Sequence, residues 1–266
     1  MNPVHVEQGT SPVVLGQPHG GTHVPEEFGA RLNERGKGLA DTDWHIARLY
    51  DGLLLGQTVV SASFHRYVID ANRDPEGHSL YPGQNTTGLC PTTDFDGNPI
   101  WLDGEEPSES ECEQRRLSFH KPYHDALSAE IARVKAIHGY AILYDCHSIR
   151  SHIPFLFDGT LPVFSIGTNG GVTCARSIES ATVDICKNAV GYDHVVNGRF
   201  KGGWTTRHYG QPETGVHAIQ MELAQRAYMD EAVPWAYRPD LAAQLRPYLT
   251  QILTALGQDI QEYKDE

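Results

Sequence analysis

Two histidines and two carboxylates stand in this chain where a metal-assisted hydrolytic site is readily built. Ala141-Ile142-Leu143-Tyr144-Asp145-Cys146-His147-Ser148 runs four mostly apolar residues straight into a polar tetrad. The run reads as a buried central strand that delivers Asp145 and His147 at its end. Pro12-Val13-Val14-Leu15-Gly16 reads as a first strand entering Gln17-Pro18-His19-Gly20-Gly21-Thr22, and Val216 to Glu222 reads as a late strand ending on a carboxylate. In open α/β sheets ligands bind beyond the carboxyl ends of the strands. Asp43 lies between these segments in sequence, at an expected helix start.

Two histidines plus one carboxylate form a recurring catalytic zinc set, with a fourth position open to water. A further carboxylate that is not a ligand serves as general base. His19, Asp43 and His147 supply the ligands and Glu222 the base. Asp145 is expected behind His147, orienting the imidazole. Each residue also has a plainer reading: His19 as a turn residue, Asp43 as an N-cap, Glu222 as a surface glutamate. Gly20-Gly21 favours a site at His19, because glycines let backbone approach closely. His23-Val24-Pro25-Glu26 keeps Glu26 open as an alternative carboxylate ligand, although Pro25 suits helical spacing poorly.

Arginines form a second layer. Arg66-Tyr67-Val68-Ile69-Asp70-Ala71-Asn72-Arg73 carries a short apolar run into Asp, Asn and Arg, and Thr205-Thr206-Arg207-His208-Tyr209-Gly210 places Arg207 on a Gly-rich loop. A guanidinium grips a carboxylate through two parallel hydrogen bonds. In a chain of formal net charge −13, arginines near a histidine site suggest a carboxylate-bearing small molecule. Pairing with Asp70 or Asp74 is the structural alternative.

The elements that must position these groups alternate. Strands are expected at 12–16, 58–61, 67–69, 141–144, 162–166 and 216–222. Helical spacing covers Trp44, Ile46, Leu49, Tyr50 and Leu53 behind an acidic cap, then 109–138 with a kink near Pro122, 173–189, and about 240 to 263. Residues 71–108 are rich in Gly, Pro, Asn, Asp and Thr, and a structureless stretch of that length is usually functional or mobile. The pattern predicts an α/β fold: a single α/β/α domain over 1–266 with a mostly parallel or mixed sheet.

At 266 residues the chain is long enough for a sizeable core, and 39% hydrophobic with 21% charged residues indicates a soluble globular protein. No apolar run reaches the roughly 18 residues of a membrane span. The N-terminal residues lack a signal-peptide pattern. The acidic balance argues against a nucleic-acid partner. Five cysteines without a CxxC spacing fit a reducing cytoplasm better than a disulfide framework.

Pro18-His19-Gly20-Gly21 with Pro25, Asp43, the 66–73 segment, Asp145-Cys146-His147-Ser148, Asn197-Gly198-Arg199-Phe200-Lys201-Gly202-Gly203, Arg207-His208-Tyr209-Gly210 and Val216–Leu223 together resemble the N-formylglutamate amidohydrolase family. The match runs in order through nearly the whole chain. The resemblance implies a fold like that of the zinc carboxypeptidases, in which Thr22 occupies the place of their glutamate ligand, so that Asp43 substitutes. It implies hydrolysis of N-formyl-L-glutamate to formate and L-glutamate, the last step of a histidine degradation route. The implied cofactor is a divalent metal, Zn2+ first, with Fe, Co or Mn open. Glu222 and Arg66 are then catalytic, Arg66 facing the oxyanion. Asn72, Arg73 and Arg207 hold the substrate, the two arginines taking its two carboxylates. Rivals are another acyl group (succinylglutamate or formylaspartate as substrate), a non-catalytic metal- or amino-acid-binding module, and a Cys146 nucleophile. The last is disfavoured because Cys146 and His147, adjacent on a strand, point to opposite faces.

Overall fold

The structure, a computed structural model, describes residues 2–79 and 83–258. Its strands are β1 (Val4–Glu7), β2 (Val13–Gln17), β3 (Thr58–Ala62), β4 (Ala141–Ile149), β5 (Phe164–Gly167), β6 (His194–Val196) and β7 (Val216–Ala224). Its α-helices are α1 (Glu26–Gly29), α2 (Glu34–Lys37), α3 (Ile46–Tyr50), α4 (Glu109–Arg115), α5 (Lys121–His138), α6 (Arg176–Lys187), α7 (Trp204–Tyr209) and α8 (Pro239–Gly257). The strands make one mixed sheet in the order β1-β3-β2-β4-β7-β5-β6. The inner strands β3, β2, β4 and β7 are parallel, β1 closes one edge antiparallel to β3, and β5 joins β7 antiparallel with β6 parallel to β5.

Strand β4 is buried along its whole length, which explains its apolar spelling, since a strand covered on both faces has no solvent side to mark with polar residues. Its residues divide by alternation. Ile142, Tyr144 and Cys146 join the core formed with residues of α3, α6 and α8. Ala141 and Leu143 join the opposite core, where Tyr123, Leu127, Ile131 and Val134 of α5 cover the sheet. Burying a side chain such as Leu143 contributes about 1.5–3 kcal/mol. Helices on both faces over a mixed sheet are the expected α/β/α arrangement. Among the described residues no helix is long and apolar enough to cross a membrane.

Several local expectations change. Residues 67–69 form no strand; 66–68 are a turn. Their backbone is satisfied locally and by a loop: Tyr67 N–H donates to His65 Nδ1, Val68 N–H to His65 O, and Asp70 N–H to Leu89 O. Asp43 does not cap a helix, because α3 begins only at Ile46, after His45 in a left-handed conformation with φ 61°. The 109–138 segment is helical throughout, but Arg116–His120 is a π-turn. It precedes Pro122, which offers no N–H for the regular ladder. The segment around Arg207 is the short helix α7 rather than a loop. Strands β1 and β6 were not expected. The last helix ends at Gly257, and the expected extension to 263 lies outside the described residues.

Candidate active site

Three buried side chains converge at the carboxyl-terminal ends of β2 and β4, His147 from among the last residues of the β4 ladder and His19 just after β2. His19, Asp43 and His147 are 2%, 1% and 2% exposed, and one ligand atom from each lies within 4.8 Å of the others. His19 follows β2 on a turn that needs its glycines, since a Cβ at Gly21 would stand 2.5 Å from Phe64 O. The His19 carbonyl accepts the Asp43 N–H at 3.1 Å, and Asp43 Oδ2 accepts the Ser148 N–H at 3.0 Å. The carboxylate is thereby tied to both strand ends. Its Oδ2 lies 3.4 Å from His147 Nδ1 and 3.9 Å from His19 Nδ1. Glu26, the alternative carboxylate, is exposed at the start of α1 and among the described residues belongs to no such cluster.

Each imidazole is backed by a second carboxylate. His19 Nε2 is hydrogen-bonded to Asp70 Oδ1 at 2.7 Å. His147 Nε2 stands 3.1 Å from Asp145 Oδ1, and Asp145 Oδ2 accepts the Thr206 hydroxyl at 2.9 Å. Both Nδ1 atoms thus face Asp43 while both Nε2 atoms are held from behind, the arrangement that fixes tautomer and orientation in metal-ligating histidines. Burial lowers the His19 pKa, with Arg66 adding to the fall. Burial also acts to lower the His147 pKa, but Asp145, Asp43 and Glu222 around it carry it well above the ordinary value. The donor set of two imidazoles and a carboxylate, with Asp70 and Asp145 behind the imidazoles, fits a divalent cation.

Glu222 is set beside this cluster by sheet register, for His147 pairs with Glu222 and Asp145 with Gln220 across β4 and β7. Burial pushes the Glu222 carboxyl up to about 8; His147 opposes the rise and Asp43 adds to it. Gln220 donates Nε2 to Glu222 Oε2 at 3.2 Å and accepts Gly203 N–H through Oε1 at 2.7 Å. Cys146 lies on the other face, its thiol pKa raised well above the ordinary value by burial. That position and protonation state do not suit a nucleophile.

Asp70 links the histidine layer to the arginines. Its Oδ2 accepts Arg66 Nη2 at 2.6 Å and lies 3.6 Å from Arg73 Nη1, while its Oδ1 accepts Asn72 N–H at 2.9 Å. Burial alone would raise the Asp70 pKa, but Arg66, then Arg73 and His19, hold it well below the usual carboxylate range. Asn72 Oδ1 accepts Thr205 N–H, and its Nδ2 lies 3.1 Å from His147 Nε2.

One cavity opens onto the histidine cluster, Glu222 and the arginines. His19, Asp43, His147, Gln220 and Glu222 line its inner part with Arg66, Asn72 and Arg73; Asn85, Thr86, Thr87, Phe95, Leu156, Arg199 and Phe200 complete its walls. Arg207 is not among these residues. It sits on α7, and its Nε donates to Gly202 O at 2.9 Å. Sequence reasoning missed Asp70 as a histidine partner, Gln220 and Arg199. Asp70 closing an apolar run just before Asn72-Arg73, and Gln220 two residues before Glu222 on one strand face, were the available signals. Arg199 stood in the Asn-Gly-Arg-Phe stretch without a role.

Residues 11–229 match the family model described as N-formylglutamate amidohydrolase. The chain is 48% identical over 251 residues to an N-formylglutamate deformylase of Pseudomonas aeruginosa, covering 94% of each chain. It is 46% identical over 250 residues to an N-formylglutamate deformylase of Pseudomonas putida, covering 94% of this chain and 93% of that one. Its fold is similar to the crystal structure of an N-formylglutamate amidohydrolase from Ralstonia eutropha, with a TM-score of 0.78 at 24% identity over 96% of this chain and 97% of that one. A gene product of Agrobacterium tumefaciens is also similar in fold, with a TM-score of 0.72 at 19% identity over 96% of this chain and 95% of that one. By the family match and by these relatives, the chain belongs to the N-formylglutamate amidohydrolase family.

Proposed function

We propose that this protein hydrolyses N-formyl-L-glutamate to formate and L-glutamate, using a divalent metal held by His19, Asp43 and His147. The observation that carries the reading is the buried His19–Asp43–His147 cluster, with Glu222 beside it, at the inner end of an arginine-lined cavity. The identity to proteins named N-formylglutamate deformylase supports the substrate. Zn2+ suits the donor set best, with Fe, Co or Mn as alternatives. A metal bound there supplies Lewis acidity toward the formyl oxygen and the attacking water.

The chain's own groups do the rest. The Glu222 carboxylate takes a proton from the attacking water and returns it to the nitrogen of the departing amine. Burial raises its pKa, which favours return of the proton to the leaving nitrogen. Gln220 fixes the Glu222 carboxylate through its amide N–H. The Arg66 guanidinium, held by Asp70, is placed to donate to the negative charge that develops on the formyl oxygen. Asn72 and Arg73 hold the α-carboxylate. Asp70 and Asp145 keep the two imidazoles oriented. The same reading places the reaction in a histidine degradation route in the cytoplasm, where the unpaired cysteines Cys90, Cys112, Cys146, Cys174 and Cys186 stay reduced.

The test is formate and glutamate release from N-formyl-L-glutamate, beside N-acetyl- and N-succinyl-L-glutamate and N-formyl-L-aspartate, together with metal analysis of the purified protein. Formate release that is lost on chelation and restored by metal is the expected result. Faster turnover of another acyl group would move the substrate. Bound metal without hydrolysis of any of these would make the protein a binding module.

A further inference from the structure

The cavity carries more positive charge than a single carboxylate needs. Three guanidinium groups line it, Arg66, Arg73 and Arg199, in a chain of net charge −13. Arg66 is 5% exposed, paired with Asp70, and 3.8 Å from Asp43, so it belongs to the reacting end. Arg73 follows Asn72, which stands against His147, so it is next along the wall. Arg199 comes from a different part of the fold, the turn after β6. That turn is anchored: Asn197 N–H donates to Ile166 O, and Asn197 Oδ1 accepts the N–H groups of Thr168 and Gly170.

Arg73 and Arg199 are joined by one short stretch of chain. Arg73 Nε donates to Thr87 O at 2.9 Å, and its Nη2 donates to Thr87 Oγ1 at 3.1 Å. Arg199 Nη2 donates to Asn85 O at 2.9 Å, and its Nε to Leu156 O at 2.8 Å. Asn85 and Thr87 are two residues apart, at most about 7 Å along an extended chain. The two arginines thus anchor on one short segment that itself lines the cavity. Leu156 and Phe200 line the wall beside Arg199, offering apolar contact to a methylene chain between two charged ends.

We propose that Arg199, rather than Arg207, recognises the side-chain carboxylate of the substrate and sets the preference for dicarboxylic over monocarboxylic N-formyl amino acids. This assignment rests on the deformylase reading, with Arg73 taking the α-carboxylate. A planar fork already oriented by two backbone carbonyls is suited to grip a carboxylate with little further ordering.

The test compares N-formyl-L-glutamate with N-formyl-L-glutamine, which keeps the length and removes the charge. It uses kcat/KM for the wild type, Arg199→Leu, Arg199→Lys and Arg207→Leu. Calorimetric binding of L-glutamate and L-glutamine to the same proteins is the readout that does not depend on turnover. The preference for the acid is expected to shrink about 10- to 150-fold in Arg199→Leu, the worth of a charge-assisted hydrogen bond. The loss should appear in KM rather than kcat. Arg199→Lys should retain part of the preference, which covers the case of an Arg199→Leu protein that does not fold, and Arg207→Leu should retain all of it. Arg199→Leu that keeps the full preference, or that loses both substrates equally, overturns the assignment, as does a collapse confined to Arg207→Leu. Should the wild type release no formate from either compound, the hydrolytic reading fails. The glutamate-to-glutamine binding ratio, lost or kept in Arg199→Leu, still decides the role of Arg199.

Discussion

His147 and Glu222 are direct register partners on the parallel strands β4 and β7. The proposed ligand and the proposed base are therefore fixed relative to each other by the backbone ladder rather than by a loop. Residues of like parity on parallel neighbours share a sheet face, so any substrate reaching one side chain meets the other. Replacing Glu222 by Gln keeps the volume and the contact with Gln220 but removes the proton acceptor. Glu222→Gln is expected to lose about 10²- to 10⁴-fold in kcat with its metal content unchanged. Single-turnover formate release and metal analysis on the same sample check this, and near-normal turnover with metal bound would remove Glu222 from the chemistry.

Asp70 and Asp145 each stand behind one imidazole, and both are fully buried. If they act by orienting ligands, Asp70→Asn and Asp145→Asn should weaken metal affinity about 10- to 100-fold, measured by competition with a chelator of known affinity. Asp70→Asn should also cost substrate affinity, because Arg66 and Arg73 lose their shared anion. Asp145→Asn, whose far oxygen accepts the Thr206 hydroxyl rather than an arginine, should leave KM nearly unchanged at saturating metal. Equal effects of the two substitutions on KM would contradict this division of roles.

The carboxylate ligand is separable by a pair of substitutions. Asp43 is buried with its oxygens toward both histidines, whereas Glu26 is exposed. Asp43→Ala is expected to abolish stoichiometric metal binding and formate release together, while Glu26→Ala leaves both at wild-type levels. Metal-to-protein ratios after dialysis distinguish the two, and retention of metal by Asp43→Ala would reassign the ligand.

What could be read from the sequence followed strand geometry. Asp145, Cys146 and His147 were separable because side chains alternate on a strand, and the structure puts Cys146 in the core opposite the site. His19 and Glu222 were legible as polar residues closing apolar runs. The residues missed, or given no site role, sit where no period exists. Asp70 follows a turn where buried Val68 and Ile69 imitate a strand, and its reach to both Arg66 and His19 depends on a fold-back that no local pattern records. Arg199 and Arg207 look alike in sequence, each near glycines. The anchoring of Asn197 after β6, which no local pattern records, sets Arg199 in the cavity wall, and 204–209 wind into α7 around Arg207.

His124 gives a prediction about stability rather than turnover. It projects from α5 with Nε2–H donated to Ala71 O at 2.7 Å, next to Asn72, and its Nδ1 lies 3.1 Å from the Tyr209 hydroxyl. One turn earlier, His120 Nε2 reaches Arg73 O at 3.0 Å. The pair thus holds the backbone on both sides of Asn72. Burial, with His120 adding to it, brings the His124 pKa from 6.5 down to about 3. Between those values the unfolded chain binds a proton that the folded chain refuses, so this group makes stability fall as pH drops below about 6.5, by up to ~1.4 kcal/mol per pH unit. Above 6.5 both states are neutral and the contribution is flat. His124→Gln keeps an amide N–H that can reach Ala71 O but cannot titrate. Urea unfolding from pH 7.5 to 4.5 should therefore give a shallower acid slope for His124→Gln than for the wild type, with the two curves parallel above pH 6.5. Parallel curves throughout the range would mean that His124 already carries its proton in the folded protein, and that the grip on Ala71 is not the acid-sensitive element.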